Sequence, residues 1–123
     1  MKKLRHLVLT AVTSLVIANP AMAEDANHYK GEPANTLDQA VYHFSEYNTK
    51  LETILAGELT PETMNDVHQL TYTLENALKK MDDELEQLAE TLERVHKASE
   101  HSDPNTVRSA GKQYLETGRK IVK

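Results

Sequence analysis

The longest regular pattern of apolar residues runs through the middle of the chain. From residue 64 onward, apolar positions alternate three and four residues apart, the heptad spacing typical of a helix that packs along one face. The ten positions, of which nine are apolar, are Met64, Val67, Thr71, Leu74, Leu78, Met81, Leu85, Leu88, Leu92 and Val95. No Gly or Pro lies between Pro61 and Pro104, so the pattern predicts one helix of about 40 residues, roughly 60 Å long. The competing prediction, a turn near residues 80–83 that gives four equal helices, is disfavoured by the unbroken heptads.

A shorter helix precedes this long one. Thr36 followed three residues later by Gln39 is a capping box, in which each side chain satisfies a backbone N–H at the helix start. Gly57 is expected to end the helix, since glycine enters the left-handed conformation without a Cβ clash. Between these signals, a stripe with helical spacing is formed by Leu37, Ala40, Phe44, Tyr47, Leu51 and Ile54.

Cap signals also mark the start of the long helix and of a third helix. Thr60 precedes Pro61, and Ser102-Asp103 precedes Pro104; in each case a capping side chain is followed by proline at the first helical position. The third helix has a stripe of Val107, Gly111, Tyr114, Gly118 and Ile121. Glycine within a helix costs about 1 kcal/mol relative to alanine, so its use at stripe positions suggests close approach of another helix.

These elements define an all-α fold with elongated antiparallel hairpins. The helices are expected at about 37–56, 61–101 and 104–122, and they form one helical domain over residues 36–123. The first helix folds back on the first half of the long central helix, and the third folds back on the second half. Counting from the turn near residue 103 places Gly111 opposite Val95 and Gly118 opposite Leu88.

Charge favours the same arrangement of the second and third helices. Residues 104–123 carry five basic residues and one acidic residue, whereas residues 82–93 carry six acidic residues and no basic one. Exposed ion pairs contribute about 0–1 kcal/mol each, so such pairs would set register more than stability.

Two layers of helices leave part of the apolar surface uncovered. Leu70, Ala77 and Ala98 widen the apolar face of the long helix beyond the strict heptad seam. Two arrangements would cover it: a homodimer with a four-helix cross-section, or a bent long helix that folds the chain into a compact monomeric bundle. The homodimer is the favoured of the two.

The first 23 residues have the pattern of a cleavable signal peptide. Lys2, Lys3 and Arg5 precede an uncharged stretch from Leu7 to Ala18, and Ala21-Met22-Ala23 supplies the small residues that a signal peptidase requires. Twelve helical residues span about 18 Å, against about 30 Å for a hydrocarbon core, which disfavours a membrane anchor. We therefore expect cleavage after Ala23 and a periplasmic location, with residues 24–35 as an extended tail that lies along the body through Tyr29.

Charge and cysteine content restrict the classes of function. Removing residues 1–23 leaves 11 basic and 19 acidic residues, a net charge of −8. This sign disfavours binding to nucleic acid and to anionic lipid. The chain has no cysteine, which excludes disulfides, thiol redox chemistry, thiolate metal sites and covalent haem attachment.

One group of residues has the spacing of metal ligands. Glu93-x-x-His96 places a carboxylate and an imidazole one helical turn apart, and Glu100 and His101 follow. Helical di-metal proteins use Glu-x-x-His pairs aimed into the core. Here His96 follows Val95 and lies at the border of the apolar face, so the alternative is a solvated surface. The candidate metal site comprises Glu93, His96, Glu100 and His101, and His43-x-x-Glu46 repeats the motif in reverse order.

Non-covalent haem is a second candidate ligand. In size, export signal and helical content the chain resembles the soluble periplasmic cytochromes b, four-helix bundles with one Met and one His ligand. The residues of matching type are Met64, Met81, His43, His68 and His96. Both methionines lie in step with the leucines, where Met usually fills a core, and no histidine lies near the end of the last helix. We therefore assign the chain no cofactor.

No catalytic motif is evident. Four serines, Ser45, Ser99, Ser102 and Ser109, lie in predicted helices or caps, none within a Gly-x-Ser-x-Gly sequence. A Gly-rich phosphate loop is also absent from the sequence. These observations predict that the protein is not an enzyme.

Four segments carry a resemblance that spans nearly all of the residues after the signal peptide. They are His28-Tyr29-Lys30-Gly31-Glu32-Pro33-Ala34; Ala40-Val41 with Phe44-Ser45-Glu46-Tyr47-Asn48; Leu55-Ala56-Gly57-Glu58-Leu59-Thr60; and Leu70-Thr71-Tyr72-Thr73-Leu74-Glu75-Asn76-Ala77-Leu78. They resemble an uncharacterised family of small exported helical proteins of Gram-negative bacteria. The resemblance implies export and a helical fold, and it implies no activity.

The function predicted from the sequence is a periplasmic protein-interaction module without chemistry of its own. It would present helix faces, and the Tyr29 tail, to a protein partner that the sequence does not identify. The predicted contact patch comprises Tyr42, Tyr72 and Leu70. The alternative is a periplasmic carrier of metal or haem.

Overall fold

The computed structural model describes residues 29–123, which form three α-helices. Helix α1 spans Leu37–Leu55, α2 spans Pro61–Glu100 and α3 spans Pro104–Ile121. This confirms the all-α class with one long central helix. The 40 residues of α2 continue without interruption through residues 80–83, so the alternative with a turn there is wrong. The predicted signal peptide and the first residues of the predicted tail lie outside the described residues.

The start of α1 follows the sequence signal more closely than its end does. The Thr36 hydroxyl accepts a hydrogen bond from the backbone N–H of Gln39, and the Gln39 side chain accepts from the N–H of Asn35. At the other end, the expected left-handed glycine is not found. Gly57 does not have a positive φ, and α1 ends at Ala56 in an ordinary right-handed conformation. The N–H of Gly57 donates to the carbonyl oxygen of Ile54 at 3.1 Å, which closes the helix with a tight turn.

The long helix α2 is fixed at both ends by local hydrogen bonds. Thr60 and Thr63 form a reciprocal capping box ahead of the first turn. At the far end, Ser102 takes up a left-handed conformation with φ of 54°. The N–H of Ser102 donates to Ser99 and the N–H of Asp103 donates to Ala98, the hydrogen-bond pattern of a Schellman motif. Nothing in the sequence predicts this conformation, because serine rarely adopts it.

The two shorter helices pack one after the other along α2. Helix α1 packs against α2, and so does α3, while α1 and α3 contact each other only slightly. Their near ends are joined by an ion pair between Lys120 and Asp38, at 2.8 Å. In the second half of the rod, a Cβ atom built onto Gly118 would lie 3.9 Å from the Leu88 side chain, so these two residues are opposite each other as expected. A Cβ atom built onto Gly111 would have no neighbouring atom within 4 Å, so the expected contact with Val95 is not made.

The side of α2 that α1 and α3 cover differs from the predicted one. Heptad geometry defines three neighbouring rows on its apolar face. The covered row comprises residues 70, 77, 84, 91 and 98; the shared row comprises residues 67, 74, 81, 88 and 95; the open row comprises residues 64, 71, 78, 85 and 92. Leu70, Ala77, Thr91 and Ala98 of the covered row are buried. Met64, Leu78, Leu85 and Leu92 of the open row are 45% to 53% exposed.

The physical reason for this shift is side-chain size. Three of the five residues of the covered row, Ala77, Thr91 and Ala98, are small, and small residues allow two helices to approach more closely than leucines do. The predicted stripe is therefore covered along one of its two rows and open along the other, and the residues thought to widen the face form its buried centre. Helices α2 and α3 pack on each other as their charges suggested, but among the described residues no ion pair joins them.

No helix within residues 29–123 combines the length and the apolar character needed to cross a membrane.

Candidate functional site

The open row is an apolar band along the exposed side of α2. From Met64 to Leu92 it covers 28 residues of helix, or about 42 Å. Four of its five members are large apolar residues that remain about half exposed, and the fifth is Thr71. Helix α2 otherwise carries ten acidic and four basic residues on its remaining surface, so the band stands out from a highly polar helix.

Helix α3 extends the apolar band sideways at one end. A shallow cleft of about 290 Å³ lies between α2 and α3, beside Leu85. Its walls include Leu115 and Val122, both exposed, and the side chain of Arg119 lies at its edge. The cleft opens on the same side of the molecule as the open row.

Helix α1 extends the band at the other end. On one side of α1, Tyr47 and Lys50 face Asp66 of α2 across a separate cleft, which places that side away from the open row. On the opposite side of α1, helical geometry places residues 41, 48 and 55 next to the open row. Leu55 is exposed there. We call the open row together with Leu55, Leu115 and Val122 the open face.

The N-terminal tail covers a different side of α2. Gly31 has φ of 73°, and a Cβ added to it would lie 2.6 Å from the backbone nitrogen of Thr73. The backbone N–H of Glu32 donates to the Thr73 hydroxyl at 2.9 Å. The Asn76 amide donates to the carbonyl oxygens of Lys30 and Glu32. The tail therefore lies directly on the backbone of α2, held by the two polar side chains Thr73 and Asn76.

Tyr29 ends this described part of the tail in an aromatic contact. Its ring meets that of Tyr72 edge to face, with 6.4 Å between the ring centres. Tyr29 also lines the cleft of about 470 Å³ between α1 and α2, with Tyr47, Lys50 and Leu70 among its other walls. The sequence indicated a role for Tyr29 in holding the tail, but it gave no sign of Gly31, whose importance depends on its approach to residues more than 40 positions away.

The patch predicted from Tyr42, Tyr72 and Leu70 does not form. Leu70 is buried under α1, and Tyr72 is half-buried between the rings of Tyr29 and His68. Tyr42 alone is largely exposed, at 62%. Its hydroxyl hydrogen-bonds Glu46, which raises the pKa of Tyr42. The pKa of Glu46 is lowered, first by its hydrogen bond with Lys50 and then by that with Tyr42. This is a local polar cluster on one helix.

The candidate metal ligands lie along the exposed surface at the end of α2. His96 and Glu100 are paired at 3.3 Å, and Glu93 is paired with Lys97 at 3.2 Å. A ring nitrogen of His101 lies 2.7 Å from the carbonyl oxygen of Lys97. Within residues 29–123, no three His, Asp or Glu side chains come together in a group that could hold a metal ion. The metal site at Glu93, His96, Glu100 and His101 stays a prediction.

The candidate haem ligands are distributed along the rod. Met64 and His96 lie near opposite ends of α2 and are both exposed, as is His68, while Met81 is half-buried at its centre. His43 is half-buried on α1 between the rings of Tyr42 and Tyr47, and its Nδ1 atom is buried without a hydrogen-bond partner. Haem binding also stays a prediction.

Comparison with known proteins gives one match. Residues 1–123 match the family described as "Family of unknown function (DUF6746)". Searches of curated proteins and of solved structures found no match. Since the family match covers the full length of the sequence, this chain belongs to the DUF6746 family of unknown function.

Proposed function

We propose that this chain is exported to the periplasm and acts there as a protein-interaction module without catalytic activity. The observation that carries the proposal is the open row, in which Met64, Leu78, Leu85 and Leu92 recur at heptad positions and remain about half exposed. Single exposed apolar residues are ordinary, but an apolar row about 42 Å long, interrupted only at Thr71, favours an interaction site.

The energetics favour a protein as the partner. Burial of apolar surface contributes about 25 cal/mol per Å², and a heptad row offers knobs at the spacing that another helix can accept. A membrane surface is a weaker fit, because the residues that border the row on α2 include Glu75 and Asp82. These carboxylates would be repelled by anionic lipid.

Export is supported by the first 23 residues of the sequence. The basic start, the uncharged stretch Leu7–Ala18 and the Ala21-Met22-Ala23 end have the order of a signal peptide. If the proposal is right, the N-terminal residue of the protein in a periplasmic extract is Glu24. A chain that retains Met1 and fractionates with the cytoplasm would contradict this part of the proposal.

Site-specific photo-crosslinking in living cells tests the interaction. A photoreactive amino acid is placed at Leu85, in the open row, in the chain expressed from its full-length sequence. The control places it at Gln87, which is also exposed on α2 but lies on the far side of the covered row. We expect a discrete protein adduct from position 85 and none from position 87.

The outcomes separate the proposal from its competitors. An adduct of defined mass from position 85 alone supports an interaction surface on the open face. Equal labelling from both positions, or none from either at normal cellular levels, would show that the open row has no specific protein partner.

A further inference from the structure

We propose that the protein partner on the open face is a second copy of this chain, bound with the two α2 helices antiparallel. This inference rests on the proposed function and names the partner. The two copies would be related by a two-fold axis that passes close to Leu78 and Met81, at the middle of α2. The resulting molecule is a rod two layers thick.

The row pattern of α2 is self-complementary in this orientation. In an antiparallel helix pair, one heptad row of each helix packs against the neighbouring row of the other. We pair the open row of each copy with the shared row of the other. This gives five different side-chain layers, and the two-fold axis repeats each of them once. The layers join Met64 with Val95, Val67 with Leu92, Thr71 with Leu88, Leu78 with Met81, and Leu85 with Leu74, which is only 8% exposed in a single copy and presents just its edge. Thr71 is the one polar member.

The size of the face matches the requirement of a stable dimer. The open face is about 42 Å long and two helices wide, and each helix adds about 10 Å of width. This gives about 800 Å² on each copy, which is the area that a standard protein–protein interface buries per partner. The rod therefore offers enough surface for a specific complex without any rearrangement of its helices.

Charge favours the antiparallel orientation over the parallel one. The two-fold axis places α1 of one copy over α3 of the other. Helix α1 carries three acidic residues and one basic residue, a net charge of −2, and α3 carries four basic residues and one acidic residue, a net charge of +3. Neither Arg108 nor Arg119 of α3 forms an ion pair among the described residues. A parallel pair would instead place the six acidic residues of segment 82–93 beside the same six of the second copy.

The surface relief agrees with this placement. An added Cβ at Gly111 would have nothing within 4 Å, so the chain leaves a notch in α3 there. Leu55 is exposed at the end of α1. With the axis close to Leu78 and Met81, Leu55 of one copy lies within about one helical turn of Gly111 of the other. The notch can thus receive a side chain that a single copy leaves in water.

Sedimentation equilibrium on the purified protein tests the dimer. The chain is expressed from its full-length sequence and purified as the cell processes it, then measured over a range of concentrations. We expect twice the monomer mass for the wild type and for Gln87→Glu, which adds the same charge on the opposite side of α2. Leu85→Glu places a carboxylate in an apolar layer on each copy, and should weaken association on the order of 100-fold.

The absence of native cysteine makes orientation directly measurable. Leu78→Cys lies near the two-fold axis, so a short bismaleimide should join the two copies through this residue. Leu92→Cys lies about 37 Å from its counterpart in the antiparallel dimer, so the same reagent should leave it uncrosslinked. Circular dichroism on each variant checks that the helices are retained.

Two results would overturn the inference. A wild-type protein that is monomeric up to about 100 μM, far above the micromolar range of specific interfaces, excludes the second copy. Efficient crosslinking through Leu92→Cys indicates a parallel pair and excludes the antiparallel one. A monomer that still gives an adduct with a different protein from position 85 in cells would leave the interaction function standing and remove only this identification of the partner.

Discussion

The tail can lie against the backbone of α2 because Gly31 has no side chain. Replacing it with alanine would place a methyl group 2.6 Å from the Thr73 nitrogen and 2.7 Å from the Tyr72 carbonyl carbon. Backbone atoms within a helix cannot move aside, and φ of 73° is itself unfavourable for alanine. We expect Gly31→Ala to release the tail, so that the Glu32 amide, bonded to the Thr73 hydroxyl, exchanges about tenfold faster or more.

The control for this change is Gly57→Ala. Its added Cβ would meet the Ile54 carbonyl oxygen at 3.5 Å, an ordinary contact, and its backbone does not have a positive φ. Exchange of the Glu32 amide should stay at the wild-type rate in this variant. An unchanged rate in Gly31→Ala as well would mean that the tail is not held through this contact.

Ser102 is a position where glycine should stabilise the fold, because the left-handed conformation of this residue suits glycine. A residue with a Cβ pays about 1–2 kcal/mol in this region, and glycine is the usual occupant of this position in a Schellman motif. Ser102→Gly should therefore raise the free energy of unfolding by about 1 kcal/mol. Ser109→Gly, on the exposed side of α3, should lower it by a similar amount because it adds glycine to a helix interior.

Both variants are compared by urea denaturation at one protein concentration, because dimerisation would make apparent stability depend on concentration. A loss of stability in Ser102→Gly equal to that in Ser109→Gly would contradict the left-handed ending of α2.

At the scale of the element, the start of α3 has a titratable cap. The pKa of Asp103 is lowered, first by hydrogen bonding from the Thr106 side chain and then by the backbone N–H groups of Thr106 and Asn105. Because the pKa in the folded state lies below that in the unfolded state, the carboxylate stabilises the fold above the unfolded pKa. This stabilisation is lost as the pH falls through the folded pKa.

Asp103→Asn isolates this contribution, since asparagine can also cap but does not titrate. The difference in unfolding free energy between wild type and Asp103→Asn should be constant above the ordinary pKa of aspartate and shrink as the pH falls through the lowered pKa of Asp103. Denaturation curves at several pH values measure it. A difference that is constant with pH would show that the cap does not depend on the carboxylate charge.

Much of each helix could be predicted from the sequence, and the side on which α2 is covered could not. Caps and prolines act within a few residues, so Thr60-Pro61 and Asp103-Pro104 placed the helix starts correctly. The heptad pattern fixes the shared row but leaves two neighbouring rows as candidates for burial. The choice depends on how closely α1 and α3 approach, which the small residues Ala77, Thr91 and Ala98 permit.

For the candidate surfaces too, local structure could be predicted from the sequence, whereas contacts between distant residues could not. An uncovered apolar surface on α2 was predicted, but the row that stays open was not, because the heptad pattern does not determine which row the other helices cover. Leu70 was assigned to a surface patch and is buried for the same reason, a shift by one row around α2. Gly31 was missed because its partners Tyr72 and Thr73 lie far away in the sequence.

In the molecule as a whole, the open face lies along the side of α2 that α1 and α3 leave uncovered. A rod of three helices buries one edge of the apolar surface of α2 and leaves the other edge exposed along its length. The charges of α1 and α3 are opposite, and the middle of α2 lies where they meet. The proposed association between two chains covers the open row.

Side-chain footprinting with a photogenerated carbene measures whether association covers the open row. The purified protein is labelled at low and at high concentration, and modification is read at Leu78, Leu85 and Leu92 and at the control residue Tyr42, which is exposed on α1 away from the open face. We predict that labelling of the three leucines falls several-fold as concentration rises while that of Tyr42 stays constant. Leucines labelled to the same extent at every concentration would show that association between chains does not cover the open row.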